Sequence, residues 1–307
     1  MGDPSGVGPE VTLKSLASPR VKGLANFLVI GDRFVIDRCK KDMGLSLKAR
    51  LFDLSNVSQR SFSYGKVSPF FGRASIQYID KALEMLKDGK VRALVTAPVN
   101  KSSVKASGLS GFMGHTEYLA AKTCTKDFAM IFVGKNLKVA LVTRHIALNK
   151  VSESLSLEAV YKTIMLAHKF LKCYFHIKNP KIGVSALNPH AGESGAFGKE
   201  EGEIIIPAIR KASRKITNIF GPIAPDVIFY AALKREYDCV ISMYHDQALA
   251  PFKMLYFTSG VNLTVGLPFI RTSPNHGTAF EIAGQGIATP ESMIEAMILA
   301  ARLASGK

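Results

Sequence analysis

The sequence predicts an α/β fold with a largely parallel sheet flanked by helices, because short apolar, β-branched runs alternate along the chain with amphipathic stretches. Parallel strands need helical crossovers, so this alternation is typical of the α/β class. With 307 residues, 47% of them hydrophobic, the chain can bury a large core and divide into two lobes.

The predicted elements follow from these two patterns. Six apolar runs indicate buried strands, at 27–30, 93–96, 130–133, 139–143, 182–187 and 240–243. One helix ends before an Asp-Gly pair, and its apolar face consists of Ile76, Ile79, Leu83 and Leu86. A second, longer helix has an apolar face made of Leu157, Val160, Ile164, Ala167 and Leu171. Strands and helices therefore alternate over most of the chain.

Composition narrows the class of protein. Forty Lys and Arg against 24 Asp and Glu give a net charge of +16, which would suit a polyanion or a small anionic substrate. The basic residues are dispersed, and no RNA-binding or helix-turn-helix pattern accompanies them, so a basic nucleic-acid-binding protein is only the weaker alternative. No run is apolar enough to cross a membrane, and the first residues lack the layout of a signal peptide. We therefore expect a cytoplasmic protein with neither nucleic acid nor membrane as partner.

Polar clusters directly follow several predicted strands, where α/β sheets bind their ligands. Three of these clusters contain histidines, namely His145, His190 and His245. Each histidine alone is more often a hydrogen-bonded loop side chain, but three in equivalent topological places favour a metal site. Three neutral imidazoles suit zinc or a similar divalent ion with an open coordination position.

Glycine-rich segments lie near both ends of the chain. Residues 2–10, GDPSGVGPE, are loop formers in front of a predicted helix. They fit a simple turn or a phosphate-binding loop about equally, although the GxGxxG spacing of a dinucleotide loop is absent. Residues 276–284, HGTAFEIAG, combine glycine, a hydroxyl and a carboxylate, as a helix cap or a ligand site would.

Seven motifs occur in the order found in 4-hydroxythreonine-4-phosphate dehydrogenases, and the chain resembles that family over nearly its whole length. They are GDPSGVGPE, TAPVNK, GHTEYLA, TRH at 143–145, LNPHAGESGAFGKEE, YHDQALAPFK and VNLTVGLPFIRTSPNHGTAFEIAG. The HGTAFEIAG part is also similar to the nicotinamide-cofactor segment of isopropylmalate and isocitrate dehydrogenases.

The resemblance implies a two-lobed, isopropylmalate dehydrogenase-like subunit in a homodimer whose active sites lie at the subunit interface. Residues 1–115 with 270–307 would form the cofactor lobe, and 116–269 the lobe with the metal ligands and the dimer interface. The implied reaction is oxidation of 4-phosphohydroxy-L-threonine by NAD or NADP to a 3-oxo acid that decarboxylates, in vitamin B6 synthesis. One divalent ion, zinc, magnesium or cobalt, would stabilise the developing alkoxide as a Lewis acid.

Site residues carry over from the family position by position. The implied metal ligands, contributed by both subunits, are His145, His190 and His245. The implied substrate contacts are His115, Thr116, Asp226, Lys253, Asn262 and Arg271. The implied cofactor contacts are Asn275, His276, Gly277, Glu281 and Gly284. His115 and Asp246 are both candidates for the catalytic proton acceptor, and either can instead orient a neighbour.

Two alternatives within and beyond this activity stay open. A paralogous dehydrogenase for threonate or erythronate 4-phosphate would keep the same metal and phosphate groups, and a noncatalytic ligand-binding relative would keep the fold. Family members also usually have a short strand before the GDPSGVGPE loop, where this sequence begins. The resemblance implies a start codon assigned too late, or tolerance of a lost strand, and we expect an upstream-extended version to be more stable.

Overall fold

A computed structural model describes residues 1–306. Its helices are α1 (Gly8–Ala17), α2 (Arg33–Met43), α3 (Pro69–Lys87), α4 (Lys101–Ala106), α5 (His115–Lys122), α6 (Val151–Ser154), α7 (Leu157–Tyr174), α8 (Ile206–Ser213), α9 (Pro225–Leu233), α10 (His245–Tyr256) and α11 (Glu291–Ser305). Its strands are β1 (Leu28–Gly31), β2 (Arg50–Asp53), β3 (Ala93–Val95), β4 (Ala129–Val133), β5 (Lys138–Leu141), β6 (Ile182–Ser185), β7 (Ile219–Ile223), β8 (Cys239–Ser242), β9 (Val261–Val265) and β10 (Ile270–Pro274). A π-helical turn, Glu201–Ile205, leads directly into α8.

The α/β class and the elements predicted from the sequence are confirmed. All six apolar runs form strands, with ends that differ from the prediction by one or two residues, and the two amphipathic patterns become α3 and α7. Both helices begin at a serine whose hydroxyl accepts a backbone N–H: Ser68 from Phe70, and Ser156 from Ala159. These caps satisfy amides that the first helical turn leaves without partners.

The chain divides into two compact units. Unit 1 comprises Met1–Cys124 and Leu267–Lys307, and unit 2 comprises Thr125–Gly266. The sequence-based boundary at residue 115 falls at the start of α5, whereas the structure has the first boundary after Cys124. Thr116 and Leu119 of α5 are buried, and the whole helix belongs to unit 1.

Unit 1 contains two pairs of parallel strands, β1 with β2 and β3 with β10. One core of this unit joins apolar side chains of α1, α2 and α11, including Val11, Ile36 and Met297. Between the free edges of β1 and β3 lies a cavity of about 690 Å³, whose other walls come largely from α3 and α11. Neither of these edges pairs with a strand anywhere in residues 1–306. Unit 1 thus has a mainly apolar gap bordered by two unpaired strand edges.

Unit 2 contains six strands in the order β9-β4-β5-β8-β6-β7. The pairs β5–β8, β8–β6 and β6–β7 are parallel, whereas β4 runs antiparallel to both of its neighbours. The exception has a local cause, since a tight turn joins β4 to β5 with the Gly134 N–H donating to the Leu137 carbonyl. The largely parallel sheet predicted from the sequence is therefore confirmed, with one reversed strand.

None of the helices within the described residues is long and apolar enough to cross a membrane.

Candidate active site

The three predicted metal-binding histidines follow three neighbouring strands of unit 2. His145 follows β5, His245 follows β8 and His190 follows β6, and β8 lies between the other two in parallel register. Because the carboxyl ends of parallel strands lie at one edge of a sheet, all three histidine-bearing segments start from the same edge of the unit 2 sheet. The sequence indicated this topology from the position of each histidine after an apolar run.

Two of the three imidazoles lie side by side. The ring centroids of His145 and His245 are 5.6 Å apart, with the ring planes inclined at 45°. His245 is the first residue of α10, and its Nδ1 lies 2.9 Å from Oδ1 of Asp246. A carboxylate on one ring nitrogen fixes the tautomer and leaves Nε2 for another partner. Asp246 is therefore placed to orient His245, and its own side chain is largely exposed.

His190 lies on an exposed loop with an unusual backbone. Five successive residues, 190–194, have positive φ angles, so the loop makes a left-handed turn in which four of the residues are not glycine. Such turns cost energy in L-amino acids and are found at functional sites. Within the loop, the Glu193 Oε2 lies 3.6 Å from the Nδ1 of His190.

A buried carboxylate holds this loop. Glu201, in the π-helical turn, accepts hydrogen bonds from the backbone N–H groups of Leu187 and Asn188 and from the Asn188 side chain, at 2.8 to 2.9 Å. Its Oε2 also lies so close to Gly192 that a Cβ there would come within 2.6 Å of it. From the sequence, Glu200 and Glu201 are expected only at the start of a helix, where carboxylates suit the helix dipole, and the contact of Glu201 with this loop is not apparent.

The donor set fits a divalent metal in its chemistry. His145 and His245 supply two imidazoles in contact, and Asp246 gives His245 the carboxylate partner typical of metal-binding histidines. Within residues 1–306 of one chain, no three His, Cys, Asp or Glu side chains converge as a metal-binding group. One chain thus brings two imidazoles together, and the family resemblance implies that further groups would complete a metal site.

In unit 1, a buried arginine lies near the start of strand β10. Arg271 of β10 is 2% exposed, and its Nε and Nη2 lie 3.2 and 2.7 Å from the Thr96 hydroxyl. Burial lowers the pKa of Arg271 to about 10, while Glu117 opposes this shift, so the guanidinium stays charged at neutral pH. Thr96 lies in a strand-end cluster noted in the sequence but was not predicted as a site residue.

His115 shares this electropositive surrounding. It begins α5, and its pKa is lowered well below the ordinary value, mainly by burial and then by the charges of Arg271, the N-terminal amine and Lys101. His115 is therefore neutral at physiological pH, which leaves it able to accept a proton. The neighbouring Thr116 is buried.

The two glycine-rich segments pack together in unit 1. The Val7 N–H donates to the Thr278 carbonyl at 3.0 Å, and a Cβ on Gly6 would contact Thr278. The amides of residues 5 and 6 are also used internally, by the side chain and the carbonyl of Asp3. The amides of residues 5–7 thus already have partners within the protein, as a buried turn requires, and the phosphate-loop interpretation of residues 2–10 stays a prediction.

The predicted cofactor segment follows β10 along the surface of unit 1. Its residues range from half-buried (Asn275, His276 and Gly284) to exposed (Gly277 and Glu281). It is anchored at one end, where the Asn275 N–H donates to the Ser292 hydroxyl, and near the other end by close contact of Gly284 with the Tyr64 ring.

Three predicted substrate residues lie in unit 2. Asn262 is in β9 with a buried side-chain oxygen that has no hydrogen-bond partner, Lys253 is half-buried in α10, and Asp226 is exposed in the first turn of α9. The orphaned Asn262 oxygen is the strongest sign of a missing partner in this group, because buried polar atoms are normally paired.

Comparison with known proteins identifies one family. The family described as pyridoxal phosphate biosynthetic protein PdxA matches residues 23–300. A D-threonate 4-phosphate dehydrogenase by name, from Oceanobacillus iheyensis, is 42% identical over 100% of this chain and 97% of its own length. A 4-hydroxythreonine-4-phosphate dehydrogenase from Desulforapulum autotrophicum is 41% identical over 98% of this chain and 93% of its own.

Solved structures give the same picture. The 4-hydroxythreonine-4-phosphate dehydrogenase of Klebsiella pneumoniae matches with a TM-score of 0.88 and 36% identity, over 99% of this chain and 96% of that one. A terephthalate 1,2-cis-dihydrodiol dehydrogenase from Burkholderia xenovorans matches with a TM-score of 0.67 and 27% identity, over 98% and 96%.

Proposed function

Since this chain belongs to the PdxA family of pyridoxal phosphate biosynthetic proteins, we propose that it is a dehydrogenase that oxidises 4-phosphohydroxy-L-threonine with NAD or NADP. The product, 2-amino-3-oxo-4-phosphonooxybutanoate, would decarboxylate to 3-amino-2-oxopropyl phosphate in vitamin B6 synthesis. The observation that carries the proposal is the full-length match to 4-hydroxythreonine-4-phosphate dehydrogenases, and the position of three histidines after three adjacent strands supports it.

His145 and His245, with His190, would hold one divalent ion, either zinc, magnesium or cobalt. Such an ion supplies a Lewis acid that stabilises the charge on the substrate oxygen when the hydroxyl proton leaves. Asp246 has the supporting role of orienting His245 through Nδ1, 2.9 Å away. This favours His115 over Asp246 as the proton acceptor, since Asp246 already has a partner.

Arg271 would bind the anionic part of the substrate. A buried guanidinium retains its charge and presents donors in a fixed fork, which suits phosphate or carboxylate oxygens. His115 stays neutral in the field of the same arginine, so it can take a proton without first losing one. Thr116, Asp226, Lys253 and Asn262 would complete the substrate contacts.

The cofactor would lie along Asn275, His276, Gly277, Glu281 and Gly284. Support comes from the anchored but partly exposed path of this segment in unit 1. A segment fixed at its ends and open between them can present backbone groups to a dinucleotide without a glycine-rich Rossmann loop.

A homodimer would complete the metal site. Unit 2 exposes large apolar side chains, among them Tyr230 of α9, Met254 of α10 and Phe257 just after α10, which are 64%, 82% and 74% exposed. Exposed apolar surface of this kind is typical of interaction sites. Sedimentation should show a dimer, and Met254→Glu with Phe257→Glu should shift it toward monomer with loss of turnover.

The main test measures NADH formation at 340 nm with 4-phosphohydroxythreonine, with and without a chelator. We expect turnover that the chelator abolishes, and His190→Ala should abolish turnover while circular dichroism stays unchanged. A His190→Ala variant with a near-normal rate would remove this histidine from the site.

A second substrate is favoured by a specific observation, since a relative named for D-threonate 4-phosphate is 42% identical, as similar as those named for 4-hydroxythreonine 4-phosphate. The two substrates differ in an amino group at the carbon next to the carboxylate. Comparing kcat/KM for both under the same cofactor decides between them, and a higher value for threonate 4-phosphate would overturn the first assignment.

A further inference from the structure

A buried hydrogen-bond network joins the three strand ends that carry the histidines. The Gln247 side chain, 7% exposed, accepts from the Met243 N–H and donates to the Ala186 carbonyl, both at 2.7 Å. On the other side, the Thr143 hydroxyl donates to the Met243 carbonyl at 2.7 Å. The backbone of Met243 is therefore hydrogen-bonded to two side chains, Gln247 at its N–H and Thr143 at its carbonyl.

Each member of this network lies just ahead of, or just behind, a predicted ligand. Thr143 follows β5 and precedes His145, Met243 follows β8 and precedes His245, and Ala186 follows β6 on the way to His190. Backbone pairing holds the strands themselves, but β5 and β6 never touch because β8 separates them. Gln247 is thus the side chain that ties the β8 end to the β6 end beyond the last backbone pairs.

We infer that Gln247 is a positioning residue that fixes the backbone ahead of His245 against the end of β6, which leads to His190. The inference depends on the proposed metal site. Gln247 is suited to this task because an amide offers one donor and one acceptor, which match the Ala186 carbonyl and the Met243 N–H. Groups that orient metal ligands typically change metal affinity 10- to 100-fold when removed.

The test measures the dissociation constant of Co²⁺ for Gln247→Met and Leu249→Met by isothermal titration calorimetry of the intact, metal-free protein. Gln247→Met keeps the length of the side chain and removes both hydrogen bonds. Leu249 is buried in the same helix, in the core of unit 2, so Leu249→Met controls for repacking. We expect about 10- to 100-fold weaker Co²⁺ binding for Gln247→Met, less than a twofold change for Leu249→Met, and recovery of most of kcat at saturating Co²⁺.

Equal Co²⁺ affinity in Gln247→Met and wild type, or an equal loss in Leu249→Met, would overturn the inference and leave the proposed function intact. Wild-type protein that binds no Co²⁺ would instead refute the metal site, and this inference with it. If Gln247→Met does not fold, Thr143→Val removes a single hydroxyl of the same network. It should weaken Co²⁺ binding at least threefold, and unchanged affinity would contradict the role of the network.

Discussion

Arg271 combines full burial with a positive charge, and the two properties have opposite consequences for stability and function. Its guanidinium is removed from water, with the Thr96 hydroxyl as one hydrogen-bond partner and the charge of Glu117 favouring its protonated form. Removing a charge from water costs free energy that an apolar side chain of similar length does not cost, so we expect loss of the guanidinium to leave stability unchanged or higher.

We therefore predict that Arg271→Met lowers kcat/KM more than 100-fold, while the melting temperature stays the same or rises. Arg271→Lys keeps the charge but not the planar fork, and we expect a loss of about 10- to 100-fold, mostly in KM. Steady-state kinetics and differential scanning calorimetry measure the two effects. A large fall in melting temperature for Arg271→Met would show that the arginine is structural instead.

The lowered pKa of His115 leads to a prediction about how the stability of the fold depends on pH. Its pKa is lowered in the folded protein, mainly by burial and by Arg271, so below about pH 6.5 the unfolded chain binds a proton that the folded chain does not. Stability contributed by this group is then present above pH 6.5 and is lost as the pH falls. Chemical denaturation between pH 5 and 7 should show a shallower loss for His115→Gln than for the wild type, and parallel curves would contradict the assignment.

At the scale of elements, the left-handed loop 190–194 and the π-helical turn Glu201–Ile205 form one substructure through Glu201. π-Helical turns are rare and occur often at functional sites. Here the turn brings a carboxylate under the loop that carries His190, so the loop conformation depends on a residue from the next helix.

Gly192, inside this loop, and Gly195, directly after it, provide a matched pair. Gly192 and Gly195 both have positive φ, but a Cβ at Gly192 would lie 2.6 Å from Glu201 Oε2, whereas at Gly195 it meets open space. Each alanine substitution costs about 1 kcal/mol for the backbone, and crowding adds about 1 to 3 kcal/mol at Gly192 alone. We predict that Gly192→Ala is the more destabilising variant in urea denaturation, and that it alone weakens metal binding. Equal effects would show that Glu201 does not determine the loop.

The sequence predicted the secondary-structure elements better than it predicted the contacts between residues that are distant along the chain. Strand and helix positions follow from local periodicity, and the three strand-end histidines follow from it as well. The reversal of β4 and the boundary after α5 could not be predicted, because both depend on which elements pack together. Thr96, Glu201 and Gln247 were missed for the same reason: each gains its role from a partner distant in sequence, such as Ala186 for Gln247.

At the scale of the whole molecule, the match to known dehydrogenases covers nearly the entire chain, yet unit 1 retains a cavity of about 690 Å³ between the free edges of β1 and β3. Met1 lies at one end of this gap, where its amine donates to the Ile30 carbonyl at 3.0 Å. Burial lowers the pKa of this amine to about 5, with Asp32 opposing the shift. This cavity is therefore bordered by two unpaired strand edges and by the Met1 amine, and burial disfavours the charged form of that amine.

An added strand should fill this gap. We predict that about six alternating Val and Ile residues joined ahead of Met1 raise the melting temperature by roughly 5 °C or more, since they bury apolar surface and pair with both edges.

The extension also turns the Met1 amine into an amide. In the chain that begins at Met1, this amine binds a proton in the unfolded but not the folded state between about pH 5 and 8, so its contribution to stability rises with pH across that window. The extended protein should lose this part of the pH dependence. The control is an extension of equal length with proline at alternate positions, because proline cannot donate to a strand ladder. An equal melting temperature for both extensions would show that the added residues do not pair as a strand.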